Sequence, residues 1–160
     1  MNKKYICFFM IWAIVISLST RVYAKLDLSA QSAILAEKNT GRVLYEKNAD
    51  KKMPMASTTK IMTAVVALEQ EDIKLDDIIE ISENASNVEG SSMYLQKGEK
   101  LTLKELLYGL MLSSGNDAAV AISEAISQKG DDFVKRMNDK AAEIGAKDTR
   151  FKNPNRLENL

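Results

Sequence analysis

The chain has 160 residues, 46% hydrophobic and 28% charged, with 22 basic and 22 acidic side chains, which is an ordinary globular composition of about one domain's length. It contains no histidine and one cysteine, Cys7, which excludes Ser-His-Asp and Cys-His catalysis and disfavours the common zinc sites. The opening "MNKKYICFFMIWAIVISLSTRVYA" places Lys3 and Lys4 before an apolar run and ends Val22-Tyr23-Ala24, so residues 1–24 read as a secretory signal cut after Ala24. Its apolar run is slightly short for a membrane span, so membrane association is expected only if the signal stays uncleaved. The signal carries Lys3, Lys4 and Arg21 and no acid, so the exported part, 25–160, is net acidic and offers no basic field to nucleic acid. Cys7 leaves with the signal, and the mature chain then has neither a disulfide nor a thiol nucleophile.

Along the mature chain, "SAILAEKNTGRVLYEKN" is two apolar-rich runs around Asn39-Thr40-Gly41 and predicts a hairpin. In "PMASTTKIMTAVVALEQ", Ile61, Ala64, Val65 and Leu68 recur at helical spacing, and Met62 and Val66 widen the stripe. A helix so apolar around its circumference is expected to be central and covered on several sides. The pattern ends at Glu69, Gln70, Glu71 and Asp72, and "DDIIEIS" is a candidate short strand. Thr102-Leu103-Lys104-Glu105 has capping-box form and starts a helix through Leu106, Leu107, Leu110 and Met111. "SSGND" interrupts it. An alanine-rich helix follows from about Asp117 to Ser127, then an amphipathic one bearing Phe133, Met137, Ala141 and Ile144 that stops at Gly145. The remainder, "AKDTRFKNPNRLENL", has no strong periodicity.

Without histidine or a mature cysteine, a serine activated by lysine is one of the few routes left to covalent catalysis. Ser57 and Lys60 stand at i and i+3, one turn apart on a helix face. Near a helix N-terminus the backbone N–H groups and the positive dipole end would lie beside Ser57. Desolvation would help keep Lys60 neutral enough to accept its proton. The same two residues also suit a serine cap followed by a solvated lysine, and S-x-x-K arises by chance in roughly half of chains this long. Ser114-Gly115-Asn116 presents the same choice: a turn between helices uses these residues readily, whereas S-x-x-K paired with a second Ser-x-Asn element is a penicillin-binding-protein pattern.

Three stretches together are far more specific: "GRVLYEKNADKKMPMASTTKIMTA", "GSSMYLQKGEKLTLKELLYGLMLSSGNDAA" and "TRFKNPN". On these the chain resembles the low-molecular-mass penicillin-binding proteins that are D-alanyl-D-alanine carboxypeptidases, over about residues 32–154. The resemblance implies an α/β (α+β) domain of the penicillin-binding protein/β-lactamase-like transpeptidase fold, made here of the N-terminal hairpin and the helical part. It implies Ser57 as the acylated nucleophile, Lys60 as its base, Ser114 as a proton relay to the leaving amine, and Asn116 as the residue orienting Lys60 and the substrate amide. The implied partners are a peptidoglycan stem peptide ending in D-Ala-D-Ala and, as inhibitors, β-lactam antibiotics; no metal or cofactor is implied.

The family's Lys-Thr-Gly element lies on a strand beyond the Asn-Pro region, and no such triplet occurs up to Leu160. Arg156 replaces the glycine usual before leucine in "NPNRL", and the amphipathic C-terminal anchor common in the family has no counterpart. The 25–160 polypeptide is therefore expected to be poorly stable and nearly inactive, with three C-terminal sheet strands missing. Two rivals differ in class: a non-catalytic peptidoglycan- or penicillin-binding module, or an inactive gene fragment. A class A β-lactamase ranks lower, because "GAKDTRFKNPNRL" holds no glutamate.

Overall fold

The computed structural model describes residues 26–127 and 132–155. The secretory signal expected at 1–24 lies outside the described residues. The chain divides into two compact units, Met1–Lys51 and Lys52–Leu160, and each is described by itself.

In the first unit, β1 (Ala33–Ala36) and β2 (Val43–Lys47) form an antiparallel hairpin, with Ile34 opposite Glu46, Leu35 opposite Tyr45, and a register irregularity between Leu35 and Ala36. The turn is built by Glu37. Its carboxylate accepts the N–H groups of Asn39 (3.0 Å) and Thr40 (2.8 Å), and Gly41 takes φ +70°, where glycine carries no Cβ penalty. The side chain of Thr40 and these two amides hold the Glu37 carboxyl below its ordinary value. Ile34, Leu35, Val43 and Leu44 remain exposed, so the hairpin has no buried face of its own.

Among its described residues, the second unit is a helical body with one small sheet. A single 3-10 turn (Ala56–Thr58) leads into α1 (Thr59–Leu68). β3 (Ile78–Glu80) pairs antiparallel with β4 (Lys100–Thr102), and between them lies the one-turn α2 (Glu83–Ser86). α3 (Leu103–Leu112), α4 (Asn116–Ser127) and α5 (Phe133–Glu143) complete it. The capping box on α3 forms as its sequence demands: Glu105 N–H reaches Thr102 Oγ1, and Thr102 N–H reaches the Glu105 carboxylate at 2.8 Å. The expected strand in "DDIIEIS" is β3; β4 had no signal of its own, since three residues next to a helix cap show no alternation.

α4 packs against α1, α2, α3, α5 and β3. It can do so because Ala118, Ala119 and Ala121 let neighbouring backbones approach, while Ile122 and Ile126 fill the space between. Leu103, Leu106 and Leu110 of α3, with Phe133, Met137 and Ala141 of α5, close the same core. The chain after α5 is fastened back onto it. Asn138 clasps Phe151 at both its N–H (2.8 Å) and C=O (3.0 Å), and Thr63 of α1 donates to the Pro154 carbonyl at 2.5 Å.

One sequence expectation is corrected here. The stripe of Ile61, Ala64, Val65 and Leu68 is not the buried face of α1: Ile61 is 54% and Leu68 59% exposed. The buried face is Thr59, Lys60, Thr63, Val66 and Ala67. The helix is rotated toward its small and polar residues because their partners are specific. Thr63 has Pro154, and Lys60 has Ser114.

Candidate active site

Four candidate residues come from two places in the second unit. Ser57 is the middle residue of the 3-10 turn and is exposed. Ala56 before it has φ +45°, a left-handed conformation that a non-glycine residue holds only at some cost. Thr58 ties the turn down, donating from both N–H (3.1 Å) and Oγ1 (2.6 Å) to the Met55 carbonyl. Ser57 thus stands immediately before the first turn of α1, where unsatisfied backbone N–H groups and the positive end of the helix dipole gather.

Lys60, in the first turn of α1, is 3% exposed. Burial pulls its ammonium pKa below the ordinary value, and the negative charge of Asp117 opposes that pull without cancelling it. Its Nζ donates to Ser114 Oγ at 3.2 Å, across 54 positions of sequence. Ser114 sits in the link between α3 and α4 with φ +52°, and the link is cinched by Gly115 N–H donating to the Gly109 carbonyl at 3.2 Å. Lys60 and Ser114 are therefore brought together. Among the described residues no hydrogen bond joins Lys60 to Ser57 or to Asn116.

Asn116 opens α4 and is 8% exposed. Its backbone N–H donates to the Ser91 carbonyl (2.7 Å) and its side-chain amide to the Glu89 carbonyl (2.7 Å). Between these two acceptors lies Gly90 at φ +98°, where a Cβ would stand 2.6 Å from the Asn116 amide nitrogen. The 89–95 segment is thus moulded onto Asn116. Met93 from the same segment packs into the space that Gly109 leaves, where a Cβ would stand 1.7 Å from its sulfur, and a Cβ on Gly115 would stand 2.8 Å from Asp117 Oδ1.

One buried group of this neighbourhood had no assigned role in the sequence reading. Asp117 is 1% exposed. Burial would raise its pKa, but hydrogen bonds from Ser92, Met93, Leu95 and Ala118 outweigh that and hold the carboxyl below its usual range. The signal was present in "SSGND", an acid at the start of an apolar helix, but it was indistinguishable from an ordinary first-turn acid.

Residues 19–160 match the family described as D-alanyl-D-alanine carboxypeptidase. The chain belongs to this family. It is 47% identical over 137 residues to the D-alanyl-D-alanine carboxypeptidase DacF of Bacillus subtilis (strain 168), covering 84% of this chain and 35% of the relative. It is 35% identical over 132 residues to a D-alanyl-D-alanine endopeptidase of Pseudomonas aeruginosa, covering 82% and 42%. The crystal structure of the D-alanyl-D-alanine carboxypeptidase DacD from Francisella tularensis superposes with a TM-score of 0.78 at 36% identity, over 90% of this chain and 37% of that one. The fold class expected from the resemblance is therefore the one found, a mixed helix and strand arrangement shared with DD-peptidases. The chain spans about a third of the length of the DacF relative, at 35%.

Proposed function

We propose that this chain carries the acylating centre of a serine-type D-Ala-D-Ala carboxypeptidase that acts outside the cytoplasm, its export directed by residues 1–24. Ser57 Oγ attacks the carbonyl carbon of the penultimate D-alanine in a peptidoglycan stem peptide. Lys60 takes the Ser57 proton. The C–N bond to the last D-alanine breaks as Ser114, hydrogen-bonded to Lys60, passes a proton to the departing amine nitrogen. Water then cleaves the Ser57 ester and restores the hydroxyl. Asn116 lines the site, and no metal or cofactor takes part. A β-lactam presents a carbonyl to the same serine and forms the same ester.

The observation that carries this reading is the buried Lys60 amine on Ser114. A solvated lysine would stay protonated and would serve neither as base nor as relay, whereas burial lowers the Lys60 pKa in the direction that general base catalysis needs.

The test is labelling by fluorescent penicillin in a fusion of this chain to the remaining length of the B. subtilis relative. Label should fall on the peptide containing Ser57, vanish in Ser57→Ala and form about 10²–10⁴-fold more slowly in Lys60→Ala. Label that survives Ser57→Ala sinks the assignment. Label without D-alanine release from a peptide ending in D-Ala-D-Ala would instead mark a binding module.

A further inference from the structure

Asp117 is ionised and shut in the interior, yet its partners are all N–H and O–H donors. Its carboxylate accepts Ser92 Oγ (2.6 Å) and the backbone N–H groups of Met93 (2.9 and 3.1 Å), Leu95 (3.1 Å) and Ala118 (2.9 Å). A buried carboxylate is an expensive way to fasten a turn, because a neutral acceptor avoids the desolvation of a charge. Where the turn leads is the second observation. The same segment gives its Ser91 carbonyl to the Asn116 N–H and its Glu89 carbonyl to the Asn116 side-chain amide, both at 2.7 Å. Within it Tyr94 is a non-glycine residue at φ +62°. It is held there because the N–H groups on either side go to Asp117 and its own goes to Ser92 Oγ at 2.8 Å.

We infer that Asp117 is a positioning residue of the acylating centre: it locks the 89–95 segment as the wall that fixes Asn116, and it places a buried negative charge near Lys60. This rests on the acylation reading above and deepens it.

Asp117 is the ionised group whose charge acts on Lys60. Charged groups on the other helices packed against α1 are engaged elsewhere. On α3, Glu105 caps Thr102 and Lys104 is exposed to solvent. On α5, Lys140 bridges Glu69 and Glu143, Lys135 pairs with Asp139, and Arg136 hydrogen-bonds Gln70. On α4, Glu124 accepts Ser82 and Asn84, and in the 89–95 segment Glu89 is exposed. Removing the Asp117 charge removes what favours protonated Lys60.

Two variants separate the roles. Asp117→Asn loses the charge and sets an amide donor against N–H donors. Ser92→Ala loosens the same turn with the charge in place. Acylation of Ser57 by penicillin is followed against pH, and hydrogen exchange of the Asn116 amide is followed in the unlabelled protein. In Asp117→Asn, acylation should slow about 10–100-fold, the loss that a small misplacement of a catalytic group brings, and the midpoint of its rise with pH should fall. Ser92→Ala should slow acylation less and leave the midpoint in place. Exchange at Asn116 should quicken in both.

A folded Asp117→Asn protein with the parent's rate and midpoint overturns the proposal. So does a slower one with an unmoved midpoint, which would leave Asp117 only a structural part. If Asp117→Asn does not fold, Ser92→Ala decides: slower acylation with faster Asn116 exchange supports the proposal, and unchanged values overturn it. If the parent takes no label at Ser57, the acylation reading itself has failed, and unchanged exchange at Asn116 in the variants would independently refute the positioning claim.

Discussion

Lys60 shows how a single side chain can be unfavourable for stability and useful for chemistry. Its amine is buried on α1 against Ser114, and desolvation, only partly offset by Asp117, favours the neutral form. The linkage has a definite sign. The folded-state pKa lies below the ordinary 10.5, so between the two values the unfolded chain binds more protons and stability rises with pH. Below the folded pKa the full penalty of burying the cation applies, and above 10.5 it is gone. Lys60→Met, which keeps the volume without the charge, should therefore raise the urea midpoint at neutral pH. The gain should shrink as the pH climbs toward 10.5. Chemical denaturation at a series of pH values checks this, and a gain independent of pH would mean that the amine is not desolvated.

Among the elements, α3 is defined at its start by local chemistry and along its length by tertiary contact. Thr102 and Glu105 satisfy each other's orphan donors, and Leu103, Leu106 and Leu110 bury one face. Thr102→Ala should cost about 0.5–2 kcal/mol, the usual worth of a Thr cap, measurable as a lower urea midpoint with an unchanged slope. The Glu105 carboxyl is held below its ordinary value by the backbone N–H of Thr102 and then by its hydroxyl. The box therefore contributes above the ordinary carboxylate pKa of 4.5 and is lost as pH falls through the depressed value. In acid the gap between the Thr102→Ala variant and the parent should narrow without closing, because the Thr102 hydroxyl loses its charged acceptor but still accepts the Glu105 N–H; a gap independent of pH would show that the Glu105 charge is irrelevant to the Thr102 hydroxyl.

Over the whole molecule, large apolar side chains remain uncovered. Ile61 and Leu68 stand on α1, Tyr108, Met111 and Leu112 at i, i+3 and i+4 on α3, and Ile34, Leu35, Val43 and Leu44 on the hairpin. Stripes of this kind favour association, and a two-stranded sheet without a buried face is marginal in water. The chain is expected to self-associate as its concentration rises, and its β1 and β2 amides to exchange far faster than those of α3 and α4. Light scattering and hydrogen exchange test the two claims. A monodisperse monomer with equal protection throughout would contradict both.

Local signals were enough for what is local. Asn39-Thr40-Gly41 specified the hairpin turn, Thr102 with Glu105 the start of α3, and alanine-rich spacing the close-packed α4, because a turn or a cap is satisfied by residues within a few positions. The Ser57, Lys60, Ser114 and Asn116 motifs were legible as a set of residue types from their spacing and family context. Orientation was not legible. Which face of α1 is buried depended on Thr63 meeting Pro154 and Lys60 meeting Ser114, partners 91 and 54 positions away. Helical periodicity counts apolar residues and is blind to such pairs. The wall at 89–95, and the buried Asp117 that organises it, likewise exist only once the chain has folded, when the start of α4 meets the loop before β4 and isolated donors converge on one carboxylate.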